Sequence, residues 1–257
     1  MEFFDSHAHY NDEKFEEDRV TILSNLYNEE KITRVTCVGY NVEKSQLAVK
    51  LAKENSFLFA TVGISPNDIE DFSEENLALI EKLAKQEKIV AIGEIGLDYY
   101  WNKENKEAQK ELFIKQIEMA NRLDLPIVIH TRDAAIDTVQ ILKEHPVKNK
   151  GIFHCCPLNQ ELIKSGLELG FYISFSGNIT FKNAKSEGPV SLVPMDRLLI
   201  ETDSPYLTPE PFRGTRNDSS KVKLVAKRVA EIKGINLEEV AKITYQNANN
   251  VFKISEE

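Results

Sequence analysis

Eight short apolar runs, most of them followed by a stretch with one apolar helical face, leave this chain few architectures. The runs cover residues 3–6, 35–38, 57–64, 89–100, 126–129, 151–153, 171–175 and 198–200. Helical periodicity falls on residues 15–31, 43–54, 74–86, 106–123, 222–232 and 237–248; in 106–123, Leu112, Phe113, Ile117, Ala120 and Leu123 share one face. No linker-like Pro/Gly/Ser stretch or low-complexity tract divides the chain. Eight strands with interleaved helices in 257 residues predict a single-domain α/β protein, a (β/α)8 TIM barrel over residues 1–257. A doubly wound open sheet is the structural alternative.

The fourth run, Ile89-Val90-Ala91-Ile92-Gly93-Glu94-Ile95-Gly96-Leu97-Asp98-Tyr99-Tyr100, carries a carboxylate between two glycines. Its Val, Ile and Ala lack polar alternation, as in a strand covered on both faces. Gly93 and Gly96 remove side chains where something approaches closely, and a metal pair is the expected neighbour. The plain alternative is that Glu94 pairs with a buried Arg or Lys, since buried carboxylates need partners.

The other polar outliers follow the same rule. His7 and His9 follow the first run, Glu94 ends the fourth, His130 the fifth, His154 the sixth, and Asp203 follows the eighth. In a barrel, the C-terminal strand ends ring one mouth, so residues distant in sequence point into one volume. A lone histidine after a strand is usually structural, but four of the five histidines take this position. The fifth, His145, precedes Pro146 and reads as a surface residue.

The residue types suit metal chemistry. His7-Ala8-His9 alternates, so both imidazoles face one side and can bind one ion. Imidazole with carboxylate suits zinc, manganese or a similar divalent ion. Glu94 has two oxygens and can bridge two ions; such a pair activates a water and stabilises the attacking and leaving oxygens of an ester. Asp203 can ligate and accept that water's proton, which makes Asp203 and Glu94 the candidate catalytic residues.

Composition limits the partners. A net charge of −9 argues against a broad basic surface for nucleic acid, though not against few, local phosphate contacts. No apolar segment reaches membrane-span length and no signal sequence opens the chain, so a cytoplasmic protein without an obligate protein partner is expected. Cys37, Cys155 and Cys156 show no zinc or redox spacing and read as reduced structural residues.

The motifs Asp5-Ser6-His7-Ala8-His9, Gly93-Glu94-Ile95-Gly96-Leu97-Asp98-Tyr99, His130-Thr131-Arg132-Asp133-Ala134, Phe153-His154-Cys155, Ile173-Ser174-Phe175-Ser176-Gly177 and Glu201-Thr202-Asp203-Ser204-Pro205-Tyr206-Leu207 together resemble the TatD-type metal-dependent deoxyribonucleases of the amidohydrolase-like barrel superfamily, almost from end to end. The resemblance implies a TIM barrel with two divalent ions (Mg, Mn or Zn). His7, His9 and Asp203 would hold one, His130 and His154 the other, with Glu94 shared. It also implies DNA as substrate, hydrolysed from the 3′ end toward the 5′ end.

Substrate contacts are expected from Arg132 beside His130, and from Arg213 and Arg216 in the loop after the eighth strand. Each has a rival reading: Arg132 could pair with a neighbouring carboxylate, and the Arg213–Arg216 loop could simply be solvated. Trp101, the single tryptophan, could stack a base or pack as a lid. Two places depart from the family pattern. Gly63-Ile64-Ser65-Pro66 stands where Gly-Ile-His-Pro is expected, removing a mouth-facing imidazole, and Cys155-Cys156-Pro157-Leu158 replaces a Cys-Phe-Ser-Gly-like sequence. Besides the nuclease, a related metallohydrolase acting on a small ester, lactone or amide, and a catalytically weak metal-binding or nucleic-acid-associated protein, remain open.

Overall fold

The computed structural model describes residues 1–255. Eight strands form one parallel sheet in sequence order: β1 Phe3–Ala8, β2 Ile32–Val38, β3 Leu58–Val62, β4 Ile89–Asp98, β5 Ile127–Arg132, β6 Gly151–Phe153, β7 Tyr172–Phe175 and β8 Leu198–Ile200. The sheet curls into a nearly closed barrel, so the open-sheet alternative falls. Beyond β8 the chain closes on β1: Ala8 and Ser204 bridge in parallel, Asp203 N–H donates to the His7 carbonyl (2.9 Å), and His9 N–H donates to the Ser204 carbonyl (2.7 Å).

The outer layer is α1 Arg19–Asn28, α2 Val42–Glu54, α3 Glu74–Ala84, α4 Lys106–Leu123, α5 Ala135–Glu144, α6 Gln160–Glu168, α7 Glu187–Leu192, α8 Val222–Lys233 and α9 Leu237–Val251. On α4, Leu112, Phe113, Ile117 and Ala120 are buried against the barrel and Leu123 half-buried, as the periodicity predicts. Each fully buried Leu, Ile or Phe contributes about 1.5–3 kcal/mol. Among the described residues no helix is long and apolar enough to cross a membrane.

The helix expected over residues 15–31 is shorter. A 3₁₀ turn, Glu13–Phe15, comes first, because Asp12 accepts from Lys14 N–H (2.8 Å) and Phe15 is fully buried. Arg19 then donates to the Tyr10 and Asp12 carbonyls, which holds the chain back until α1 begins at Arg19. The close approach at Gly93 and Gly96 also differs from expectation. A Cβ on Gly96 (φ 140°) would lie 2.0 Å from the His130 carbonyl oxygen, and one on Gly93 would lie 2.6 Å from the Val128 Cβ. The neighbour these glycines accommodate is β5, not a metal.

Asp5 pins the barrel seam. It is fully buried, and its carboxylate accepts from Thr202 N–H (2.9 Å), Thr202 Oγ1 (2.5 Å) and Ser219 Oγ (2.5 Å). Burial pushes its pKa up to about 7 against the lowering effect of those donors. Asp5→Asn leaves one acceptor and turns an NH2 toward donors. It should lower stability by about 1.5–3 kcal/mol, read as a shifted urea midpoint at constant m-value. An unchanged midpoint would show that Asp5 does not pin the seam.

Candidate metal centre

Strand geometry alone delivers the first ligands. Because side chains alternate along β1 and its extension, His7 and His9 face the same volume, with their Nε2 atoms 3.1 Å apart. Glu94 lies within β4 rather than at its end. The β4–β5 register shifts between Ile92 and Ile95, and Glu94 N–H donates to the Gly39 carbonyl (2.8 Å), so a bulge aims the carboxylate inward. His130 lies on β5, His154 directly follows β6, and Asp203 stands three residues past β8 on left-handed backbone (φ 56°), a conformation that Asp and Asn tolerate better than other non-Gly residues.

The six side chains converge, and Glu94 divides them. Its Oε2 lies 3.5 Å from His7 Nε2 and 3.6 Å from His9 Nε2, whereas its Oε1 lies 2.9 Å from His130 Nδ1 and 3.6 Å from His154 Nε2. Asp203 Oδ1 is 3.3 Å from His9 Nε2 and 3.6 Å from His7 Nε2. Three overlapping sets have all their ligand atoms within 4.8 Å: His7, His9 and Glu94; Glu94, His130 and His154; and His7, His154 and Asp203. The last set brings His154 near Asp203 as well, so the halves share more than Glu94. The His7 and His154 rings stack at 3.8 Å.

This donor set fits cations. His9 Nδ1 faces the Val38 carbonyl (3.0 Å), His130 Nε2 faces Asp98 Oδ2 (2.9 Å), and His154 Nδ1 faces Glu201 Oε1 (3.3 Å). Those oxygens can only accept, so each ring's outer nitrogen donates and, in the neutral ring, the inner nitrogen carries a lone pair. Lone pairs and two carboxylates then point at one another, an arrangement that a divalent ion satisfies.

Charge follows the same logic. Burial raises the Glu94 carboxyl, but His154, His130 and His7 outweigh it and hold the group well below the usual carboxylate range. Asp203 is likewise raised by burial and brought below its ordinary value by His9, His7 and His154. Burial lowers His130, yet Asp98 and Glu94 lift it to about 8; His154 is raised well above its ordinary value by Glu94 and Glu201 against burial. Burial and the neighbouring His154 lower His7. A protonated imidazole has no lone pair to give, so cation uptake releases protons.

The centre opens into a cleft of about 990 Å3, whose walls include Arg132, Trp101, Asn67, Asn178, Cys155 and Tyr206. Arg132 lies 4.0 Å from the Tyr100 ring centre and 5.6 Å from that of Trp101, with no carboxylate in ion-pair range among the described residues. Trp101 is 65% exposed. The expected partners Arg213 and Arg216 do not line the cleft. Arg216 is committed to Asp18 (Nη1–Oδ1 3.0 Å), and Arg213 lies 3.6 Å over the Phe181 ring.

Ser65 does not stand open at the mouth either. It is buried, accepts from Asn67 N–H (3.1 Å) and donates to Asp68 Oδ2 (3.0 Å), so it caps a 3₁₀ turn while Asn67 reaches the cleft. His145 is half-buried at the C-terminal end of α5. All three cysteines are free thiols, with Cys155 at the cleft wall.

Sequence reasoning gave no role to Asp98 or Glu201, although both lie within the quoted motifs. Asp98 had a local signal: it follows Glu94 by four positions on one strand, hence shares its side of the sheet. Glu201 had only its position as an acid ending an apolar run.

Comparison with known proteins agrees over the whole length. The family model described as TatD related DNase matches residues 4–253. YabD of Bacillus subtilis (strain 168), an uncharacterized metal-dependent hydrolase, is 45% identical over 254 residues, 98% of this chain and 99% of the relative. YcfH of Escherichia coli (strain K12), also an uncharacterized metal-dependent hydrolase, is 44% identical over 191 residues, 74% of this chain and 69% of the relative. Among solved structures, the TatD homolog YJJV from Escherichia coli k12 superposes with a TM-score of 0.93 at 25% identity, covering 98% of both chains. The matched range runs from within β1 past α9 and spans the positions of the six converging side chains, and on that extent the chain belongs to the TatD family of metal-dependent hydrolases.

Proposed function

We propose that this protein is a divalent-cation-dependent deoxyribonuclease that hydrolyses DNA phosphodiester bonds, working from the 3′ end toward the 5′ end. The observation that carries the two-ion part is the division of Glu94, one oxygen toward His7 and His9 and the other toward His130 and His154. His7, His9 and Asp203 would hold one ion, His130 and His154 the other, with Glu94 common to both. The imidazole-rich set favours Zn or Mn over Mg. The description of the matching family model, TatD related DNase, supports the DNA substrate.

When bound, the ions supply Lewis acidity, drawing charge from the scissile ester and making water acidic enough to act as nucleophile near neutral pH. The protein's own groups do the rest. Asp203, ionised at neutral pH and partly open to the cleft, accepts the proton of the attacking water. Arg132 neutralises a phosphate of the bound strand, and exposed Trp101 offers a face on which a base can stack.

One observation favours a second reading, a hydrolase of small phosphoesters. Arg132 is the single Lys or Arg among the residues lining the cleft. One assay addresses both. With end-labelled oligonucleotides, activity should vanish after exhaustive chelation and return with Mg, Mn or Zn, giving products shortened from the 3′ end. Full activity without metal would overturn the mechanism. Oligonucleotide affinity should also weaken with salt, with a log–log slope of about −0.7 per phosphate contact. No salt dependence, with turnover of a small phosphodiester, would favour the second reading.

A further inference from the structure

Asp98 is engaged on both oxygens, and its two sides differ in what they can concede. Oδ1 accepts from the backbone N–H groups of Tyr100 and Trp101, each at 2.9 Å. Oδ2 accepts from His130 Nε2 at 2.9 Å and from the Asn67 amide at 3.3 Å. The side chain is fully buried. The carboxylate behind His154 is arranged otherwise: Glu201 Oε1 alone takes both Cys155 N–H (2.7 Å) and His154 Nδ1 (3.3 Å), while buried Oε2 has no hydrogen-bond partner among the described residues. Among the described residues no carboxylate stands behind the other two imidazoles in this way. His9 Nδ1 meets the neutral Val38 carbonyl, and His7 Nδ1 has no hydrogen-bond partner among the described residues.

From this asymmetry we propose that Asp98 is a positioning residue that fixes which nitrogen of His130 carries the proton, and thereby the affinity of one ion, whereas Glu201 supports His154 mainly through its charge. The inference rests on the reading that the centre holds divalent ions. In Asp98→Asn the amide has a single acceptor oxygen, and the Tyr100 and Trp101 N–H groups, fixed in the backbone, retain it. The NH2 then faces His130 Nε2, which must change from donor to acceptor. The ring proton moves to Nδ1, the nitrogen 2.9 Å from Glu94 Oε1, and the lone pair aimed at the ion is lost. The Asn67 amide can rotate to follow.

Glu201→Gln should behave differently. Its amide oxygen can keep both donors of Oε1, its NH2 takes the unpartnered position, and His154 retains its tautomer while losing the charge behind it.

The test uses the full chain, metal-free and then titrated with zinc alone. Tautomers are read from two-bond 1H–15N correlations, recorded at a pH where the nitrogen shifts show both His130 and His154 to be neutral. In Asp98→Asn, His130 should switch from Nε2–H to Nδ1–H, and zinc affinity at one of the two sites should fall about 100-fold, with the other site as in the wild type. In Glu201→Gln the His154 tautomer should persist, with a loss of about 10-fold, the lower end of what removing such a partner causes. A folded Asp98→Asn variant with His130 still Nε2–H, or with both zinc affinities unchanged, overturns the proposal. If that variant does not fold, Glu201→Gln decides: unchanged zinc binding, or a switched His154 tautomer, overturns it. A wild-type chain that takes up no zinc defeats the metal-centre reading itself.

Discussion

Glu94→Ala should strip the protein of both ions together, whereas His154→Ala should mainly weaken one. The reason is the division of the Glu94 carboxylate between the imidazoles of β1 and those of β5 and the β6 end. Alanine leaves four imidazoles with Asp203 as the single inner carboxylate. Loss of an outer partner lowers metal affinity about 10–100-fold, and loss of a direct ligand to two ions should exceed about 100-fold for each. Metal content after dialysis against a buffered low concentration of zinc, measured beside hydrolysis, gives the answer. Equal stoichiometry in Glu94→Ala and His154→Ala would remove the bridge from the mechanism.

Asp203→Asn removes the proposed base and weakens one ligand of the centre. The amide keeps the size of the side chain and an oxygen, and Asn accepts the left-handed backbone at this position as readily as Asp, so the fold should persist. The neutral amide is a poor base, and the rate should fall about 10²–10⁴-fold, the usual range for general-base catalysis. Arg132 and Trp101 are untouched, so oligonucleotide affinity should change little. Melting temperature and kcat measured on one preparation separate this from a structural role. A variant that melts early but turns over normally would move the base to another residue.

Local chemistry explains why so much of the barrel and its centre was legible beforehand. Strand and helix periods are set by near neighbours, and a histidine or acid at the end of an apolar run is visible without knowing what it meets. Partners across the fold are not. Arg216 carried the signature of a phosphate ligand, yet Asp18, remote in sequence, takes its guanidinium. Ser65 read as the remnant of a mouth residue, but its hydroxyl is held by Asn67 and Asp68 in its own turn. The helix expected from residue 15 begins at Arg19 because Arg19 donates to two carbonyls earlier in the chain. Gly93 and Gly96 signalled a close approach correctly, but composition could not say that β5 was approaching.

The seam between β1 and the segment after β8 bears on how the chain is made. His7 and Asp203, roughly 200 residues apart, meet through the same backbone hydrogen bonds that close the barrel. During synthesis at about 5–20 residues per second, β1 therefore waits on the order of 10–40 s for its closing partner to be translated. Through that interval β1 presents Phe3, Phe4 and Ala8, all buried in the finished protein, without the segment that will cover its open edge. The converging group of side chains that includes Asp203 cannot be complete until this late contact forms.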